Sequence, residues 1–395
     1  MKKCKSLFCI FLALSLILLL PGCSAPSAPS APSAPDTGDA EKADIKIGHV
    51  VHMTGASAEA GGYEKNGADL AVEEINAAGG INGRKLVLVE EDGKSTNPGV
   101  VAAFQKLIED KDIVSVIGPS PSTQVSAMLP TISASKIPVF TGGTNYGLTH
   151  SNCEWLFRFR PHDGMSAQAM VQFALEDLKA TKIAILHATD AFGKGGAELL
   201  QELLKGKGIT PVLVQGYNND EKDYTAVITN LKQSGADCML SYMTMSPDEG
   251  IFAKQRKQQG LNINWVGSSS IMAVAGRKLA GDALYGTYGV ADFHIDGNEK
   301  SKKYSETYKA KYGLDPDFYS AWCYDSVYVL AEALKNSPDT KPETVQAALR
   351  NIKNFEGVEG VYNFDNNGDG LDQYHIVTND NDVIKMVKTL KLTRD

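Results

Sequence analysis

Short, nearly unbroken apolar runs recur along this chain at Ile45–Val51, 85–89, Ile113–Ile117, 137–140, 183–186, 211–214, 238–240 and 265–266. Runs of this length without polar alternation suit strands covered on both faces, as in parallel sheets. Between them, apolar residues return at spacings of three and four: Ala68, Ala71, Val72 and Ile75; Val101, Phe104 and Ile108; Met170, Phe173, Ala174 and Leu178; Leu199, Leu200 and Leu203. Each set falls on one helical face. Strand and helix alternating through two successive blocks predict an α/β protein of two doubly wound parallel-sheet lobes.

The first block ends near residues 157–160 and the second near 288–292. Three amphipathic stretches follow without strands between them, at 300–312, 318–334 and 343–352, and the tail from 361 to 392 alternates like short β segments. These are expected to complete the two lobes rather than start a third core. The division is then 45–160 plus 292–354 for the first lobe and 161–291 plus 355–395 for the second. Such a chain crosses between lobes three times and forms a hinge. Two lobes also suit the length, since a single domain typically holds about 100–200 residues.

Ahead of this body, Lys2, Lys3 and Lys5 precede an apolar run at 7–20, shorter than the roughly 20 residues a membrane span needs. Residues 1–22 therefore read as a signal peptide. The run ends in Leu20-Pro21-Gly22-Cys23, which resembles a bacterial lipobox, where the cysteine takes a diacylglycerol and becomes the first mature residue. Residues 23–44 read as a lipidated tether. Ser-Ala-Pro is repeated four times to Pro35, which favours an extended polyproline conformation at about 3.1 Å per residue. The expected location is extracytoplasmic, anchored to the cell membrane by lipid.

Charge and motifs exclude several functions. The net charge is −8, and becomes −11 once the three signal-peptide lysines are gone, which is unfavourable for binding nucleic acid. Cys153, Cys238 and Cys323 have no paired spacing and are expected to be buried packing residues. Gly93-Lys94-Ser95 lacks the upstream glycine of a phosphate loop, with Leu88 in its place. Gly193-Lys194-Gly195 has Glu198 where a dinucleotide fingerprint needs its third glycine. Asp365-Asn366-Asn367-Gly368-Asp369-Gly370 opens like a calcium loop, but its twelfth position is Ile376; it is expected to be a β-turn between 361–364 and 374–377. No HExxH or GxSxG is present. Neither catalysis nor a metal or other cofactor is expected.

A different set of residues converges. In doubly wound sheets the ligand crevice lies beyond the carboxyl ends of the strands. The residues after the predicted strands are Gly118 to Thr123, Thr141 to Thr144, Asp190 to Gly193, Tyr242 to Met245, and Ser268-Ser269. Ser122 and Thr123 begin a predicted helix through Val125 and Leu129, where unpaired N–H groups and hydroxyls stabilise an anion. A plain helix cap is the alternative role for Ser122, and the two are compatible. Gly142 and Gly143 permit close backbone approach.

These residues resemble the leucine/isoleucine/valine-binding family of periplasmic solute-binding proteins that serve ABC transporters. The resemblance runs from Ile45 onward and includes Met53-Thr54-Gly55, the segment from Asn66-Gly67-Ala68 to Gly79-Gly80-Ile81-Asn82-Gly83, Val116-Ile117-Gly118-Pro119, and 138–144. It implies the type I periplasmic binding protein fold, with ligand trapped by lobe closure. By position it implies that Ser122 and Thr144 bind a carboxylate, with Thr123 beside them and Gly142 giving a backbone contact. Phe192 and Met245 fall where the family often has Tyr. Ser269 falls where amino-acid binders carry a Glu for the α-ammonium, and Ala60 replaces a bulkier residue at the entrance. Either Asp190 or Asp248 then substitutes for that Glu, or the ligand has no ammonium.

The resulting expectation is a lipid-anchored solute-binding protein for a small carboxylate, an amino acid, branched-chain included, or an analogue. Its partners would be that ligand, the membrane through the anchor, and ABC permease subunits. A sensory ligand-binding domain for a membrane receptor is the alternative.

Overall fold

All eight apolar runs contribute to strands, six of them with buried central residues, and they form two sheets of the same strand order. The structure, a computed structural model, describes residues 43–394. The signal peptide, Cys23 and the tether as far as residue 42 lie outside the described residues. In the first lobe, β1 (Ile45–Val51), β2 (Leu86–Asp92), β3 (Ile113–Ile117), β4 (Val139–Thr141) and β5 (Leu156–Arg158) pair in parallel in the order β2-β1-β3-β4-β5. In the second, β6 (Ile183–Ala188), β7 (Leu213–Tyr217), β8 (Cys238–Tyr242), β9 (Asn264–Gly267) and β10 (Tyr288–Ala291) repeat this as β7-β6-β8-β9-β10. The order reverses between β1 and β3, and again between β6 and β8. A doubly wound sheet opens its binding crevice at such switch points.

Helices cover both faces. The first lobe carries α1 (Ala58–Ala77), α2 (Asn97–Glu109) and α3 (Ser122–Ser135); the second carries α4 (Asp163–Gln172), α5 (Ala191–Gly206), α6 (Thr225–Ser234), α7 (Ser246–Gln258) and α8 (Val274–Ala280). After β10 come α9 (Glu299–Tyr312), α10 (Phe318–Lys335) and α11 (Pro342–Arg350), which return to the first lobe. Trp322, Val327, Leu330 and Leu334 of α10 share a core with Ile47, Ala68 and Ala71. The α1 and α10 backbones touch: a Cβ on Gly67 would lie 2.0 Å from the Ser320 carbonyl oxygen. Among the described residues no helix is long and apolar enough to cross a membrane.

The family-like segment after α1 is a compact turn. Gly79, Gly80, Asn82 and Gly83 all have positive φ, from 52° to 98°. Glycine and asparagine adopt this region most readily, which explains the composition of the segment.

The chain crosses between lobes between β5 and α4, between β10 and α9, and again before β13 (Gln373–Asp380). The third crossing lies later than expected. Tyr362, Phe364 and Leu371 pack in the first-lobe core, so residues 355–371 belong there rather than in the second lobe. The physical reason is the pairing of β11 (Phe355–Glu356) with β12 (Val361–Tyr362), and of Asp369 with Arg158, by a β-bridge and an ion pair at 2.7 Å. The loop at 365–370 is a turn, with Asp365 Oδ1 accepting from Asn367 and Asp369 N–H groups. It lies within the first lobe and does not join β12 to β13 as a hairpin, because those strands belong to different sheets. The tail does form one: β13 pairs antiparallel with β14 (Val383–Lys391) through Asn381-Asp382, both at positive φ, as a two-residue hairpin turn requires.

The apolar pattern did not reveal β5, α6, α7 or α8. Helix α7, Ser-Pro-Asp-Glu-Gly-Ile-Phe-Ala-Lys-Gln-Arg-Lys-Gln, buries Asp248 and Glu249 along with Phe252, so its inner face is partly polar. The three cysteines are free and buried, in agreement with a packing role.

Candidate functional site

Between the lobes, two connected chambers form at the switch points. The inner one is lined by Ser120, Pro121, Ser122, Thr144, Arg160, Phe192, Thr244, Ser269, Ser270, Phe318 and Tyr319. Four of the seven residues expected from sequence meet there: Ser122 and Thr144 from the first lobe, Phe192 and Ser269 from the second. Met245 lines the outer chamber, as does Ala60. Thr123 and Gly142 line neither. Ser120, Pro121, Thr244 and Tyr319 are common to both chambers.

Ser122 is the first residue of α3, with Pro121 at the cap position and no side-chain cap bond. Its hydroxyl oxygen accepts the Asn145 N–H at 3.1 Å, which leaves the hydroxyl proton available to donate. Thr144 follows β4 and is buried, its carbonyl accepting the Asp163 N–H at 2.7 Å. Asp163 lies beside the Thr144 side chain; burial pushes its carboxyl up to about 7 against the pull of Thr144, Arg158 and Arg160. Two hydroxyls follow strand ends at this corner of the chamber, one of them at the helix N-terminus, where the helix dipole favours negative charge.

Gly142 supports this corner indirectly. A Cβ there would lie 2.7 Å from both Ser120 Oγ and the Trp322 ring, so the glycine lets Trp322 and Ser120 press against the loop. Its carbonyl accepts from Arg160 Nη1 at 3.2 Å.

Arg160 is the main residue the sequence reading missed. Buried at the first crossing, it pairs with Asp292 of the second crossing, donates to Gly142 in the first lobe, and donates from Nη2 to Ser269 Oγ in the second at 2.6 Å. Its guanidinium lies 4.2 Å from the Phe318 ring centroid. The signal for it was present in Phe157-Arg158-Phe159-Arg160. The two Phe side chains enter the first-lobe core, and alternation puts both Arg on the other face, where buried cations must find partners.

On the second-lobe side, Phe192 sits in the first turn of α5 and packs edge-on against Tyr242, centroids 5.3 Å apart. Ser269 opens a short 3₁₀ turn, Ser269–Met272. Neither acid proposed to replace a ligand-pairing Glu lines the chambers. Asp190 caps α5, accepting from Gly193 N–H at 2.9 Å and from Thr244 Oγ1 and Asn219 Nδ2 at 2.8 Å. Asp248 accepts the Asp220 N–H at 3.0 Å, and burial pushes its carboxyl up to about 7.

The outer chamber encloses about 620 Å³ including its open mouth and is lined by His52, Glu59, Tyr63, Glu64 and Asp317 among others. Glu64 and Asp317 are buried, and burial pushes their carboxyls up to about 8 and about 7. Burial likewise lowers His52 from its ordinary value. Among the described residues no group of three or more His, Cys, Asp or Glu side chains could hold a metal ion.

Comparison with known proteins matches this arrangement to others of its kind. An amino acid binding protein of Pseudomonas aeruginosa is 28% identical over 330 residues, spanning 83% of this chain and 87% of that protein. A Leu/Ile/Val-binding protein homolog of Brucella abortus is also 28% identical, over 83% of this chain and 88% of its own length. Among solved structures, the branched-chain amino acid transporter substrate binding protein LivJ from Streptococcus pneumoniae, in complex with isoleucine, superposes with a TM-score of 0.80 at 25% identity, covering 88% of this chain and 99% of that one. The model of the periplasmic binding protein family matches residues 44–382, and the chain belongs to that family.

Proposed function

We propose that this protein is an extracytoplasmic solute-binding protein, tethered by a lipid on Cys23, that captures a small carboxylate-bearing ligand by lobe closure and passes it to the permease subunits of an ABC importer. An amino acid, branched-chain included, is the favoured ligand. The observation that carries this reading is the pair of hydroxyls, Ser122 and Thr144, placed at the ends of β3 and β4 and facing Phe192 and Ser269 across one chamber. A carboxylate in that corner meets the N-terminus of α3 and two hydroxyl donors. The names of the relatives, which bind amino acids, support the ligand class.

Thermal-shift screening over amino acids, short-chain and aromatic carboxylates, amides and urea identifies the ligand, and small-angle scattering at saturation tests closure. The expected result is stabilisation by a carboxylate and a smaller radius of gyration. Stabilisation only by uncharged amides, or an unchanged scattering profile at saturation, would sink the proposal. The anchor is tested separately: the wild type should incorporate labelled lipid and Cys23→Ala should not.

A further inference from the structure

The outer chamber is acidic without a matching cation: Glu59, Glu64 and Asp317 line it, and no Lys or Arg does. Two of these acids are explained by their surroundings. Glu59 is exposed to water, and Asp317 caps α10, with Oδ1 accepting from Tyr319 N–H at 3.0 Å and Ser320 N–H at 3.4 Å. Glu64 is different. It is 1% exposed, and its two oxygens have unequal surroundings. Trp322 Nε1 donates to Ser120 Oγ at 3.0 Å, and Ser120 in turn donates to Glu64 Oε1. Indole nitrogen is a donor only, so Ser120 Oγ accepts at that end and keeps its own hydrogen for Glu64. That bond ends on Oε1 and leaves Glu64 Oε2 buried with no partner. A buried carboxyl oxygen in that state is strongly unfavourable unless something else in the chamber supplies a hydrogen bond.

The opposite corner is unsuited to a cation. Ser269 Oγ accepts from the Arg160 guanidinium, so a ligand ammonium placed there would face a positive group. The first lobe holds Glu64 firmly instead, because α1 approaches its neighbours too closely to shift. A Cβ on Gly61 would lie 2.1 Å from the His52 carbonyl oxygen, and one on Gly67 lies as close to Ser320. Ser120 stands in the wall of both chambers, so a ligand held at Ser122 and Thr144 extends past it to reach Glu64.

We propose that Glu64 Oε2 accepts a nitrogen-bound hydrogen of the ligand, so that the ligand is a carboxylate that also carries an ammonium or amide N–H, recognised by the first lobe at both ends. This rests on the carboxylate reading of Ser122 and Thr144. Burial, opposed by Ser120, Arg160 and Trp322 and reinforced by Asp317, keeps a proton on Glu64 up to about pH 8 in the absence of ligand. A bound ammonium acts in the same direction as Arg160 and displaces that proton.

Calorimetry on the mature protein tests this with matched probes: α-amino acids, their des-amino acids, their decarboxylated amines, and monoamides of short dicarboxylic acids. In the wild type, the best amino acid or monoamide should bind roughly 10- to 100-fold more tightly than its nitrogen-free partner. Glu64→Leu should erase that difference and leave the nitrogen-free acid unaffected, whereas Ser122→Ala should weaken both equally. Equal affinity of the nitrogen-bearing and nitrogen-free partners in the wild type, which needs no variant to fold, overturns the Glu64 assignment and leaves the carboxylate reading standing. So does an equal loss of both in Glu64→Leu. An amine that binds as well as its amino acid overturns the carboxylate reading instead, and a panel in which nothing binds counts against both.

Discussion

Asn145 donates its side-chain amide to the Ala191 carbonyl at 2.9 Å, carrying a hydrogen bond from the first lobe to the start of α5 in the second. The same residue donates its backbone N–H to Ser122 Oγ. The hydroxyl assigned to the ligand is thus one residue's length from a bond that joins the lobes.

Breaking that bond should therefore disfavour the closed form without unfolding either lobe. A Cβ on Gly195 would lie 2.3 Å from Asn145 Nδ2, so Gly195→Ala displaces the amide. With a net worth of about 1 kcal/mol for such a bond, affinity should fall roughly fivefold. Scattering with saturating ligand should also show less compaction than in the wild type. Unaltered affinity and compaction would show that the bond plays no part in closure.

Ser122→Ala and Thr144→Ala should each weaken binding of the identified carboxylate on the order of 10- to 100-fold, since a hydrogen bond to a charged group contributes about 1.5–3 kcal/mol. Ser269→Ala should cost much less, because its hydroxyl oxygen is occupied by Arg160. Calorimetry on the three variants orders them. Wild-type affinity in both first-lobe variants would refute the assignment.

Arg158 and Asp369 form a fully buried pair between β5 and the turn at 365–370. Burial alone would raise the Asp369 carboxyl; the Arg158 charge and hydrogen bond outweigh it and hold it below its ordinary 3.8. Folded Asp369 thus binds protons less readily than unfolded, so its stabilisation is present above about pH 4 and is lost as pH falls through the folded value. Arg158→Met leaves this carboxyl buried and unpaired, and urea unfolding at pH 7 should show a loss of about 3–5 kcal/mol.

Glu64, Asp163 and Asp317 behave in the opposite sense, with burial pushing them up to about 8, 7 and 7. Each holds a proton in the folded protein at a pH where the unfolded chain has lost it. Their contribution is fullest below about pH 4 and declines as pH rises towards 7 or 8. Ligand-free Glu64→Leu should accordingly lose less stability than the wild type between pH 5 and 8, as read from urea midpoints. Parallel midpoint curves would mean that Glu64 titrates normally.

Much of the architecture was legible because strands buried on both faces must be mostly apolar, as are Ile113–Ile117, broken only by Ser115, and Cys238–Tyr242, broken only by Ser241. The hydroxyl corner was legible for a related reason: parallel strands deliver their following loops to one edge, which placed Ser122 and Thr144 together. Polar burial hid the rest. Asp248 and Glu249 blur the inner face of α7, and Arg160 and Glu64 acquire meaning only through partners at Asp292 and Ser120, far away in sequence. The early placement of the third crossing has the same cause, since the Arg158–Asp369 pair that helps hold residues 365–371 in the first lobe joins positions far apart in sequence.

The packing of α10 against α1 also governs the order in which the molecule can be completed. The second lobe finds five of its seven strands between residues 183 and 291, whereas the first keeps Gly67 waiting for Ser320, some 250 residues later. Contacts so distant along the chain carry a large loop-closure cost and form slowly. A polypeptide threaded N-terminus first through a membrane, as proposed here, would leave its leading lobe unfinished until most of its length had passed through.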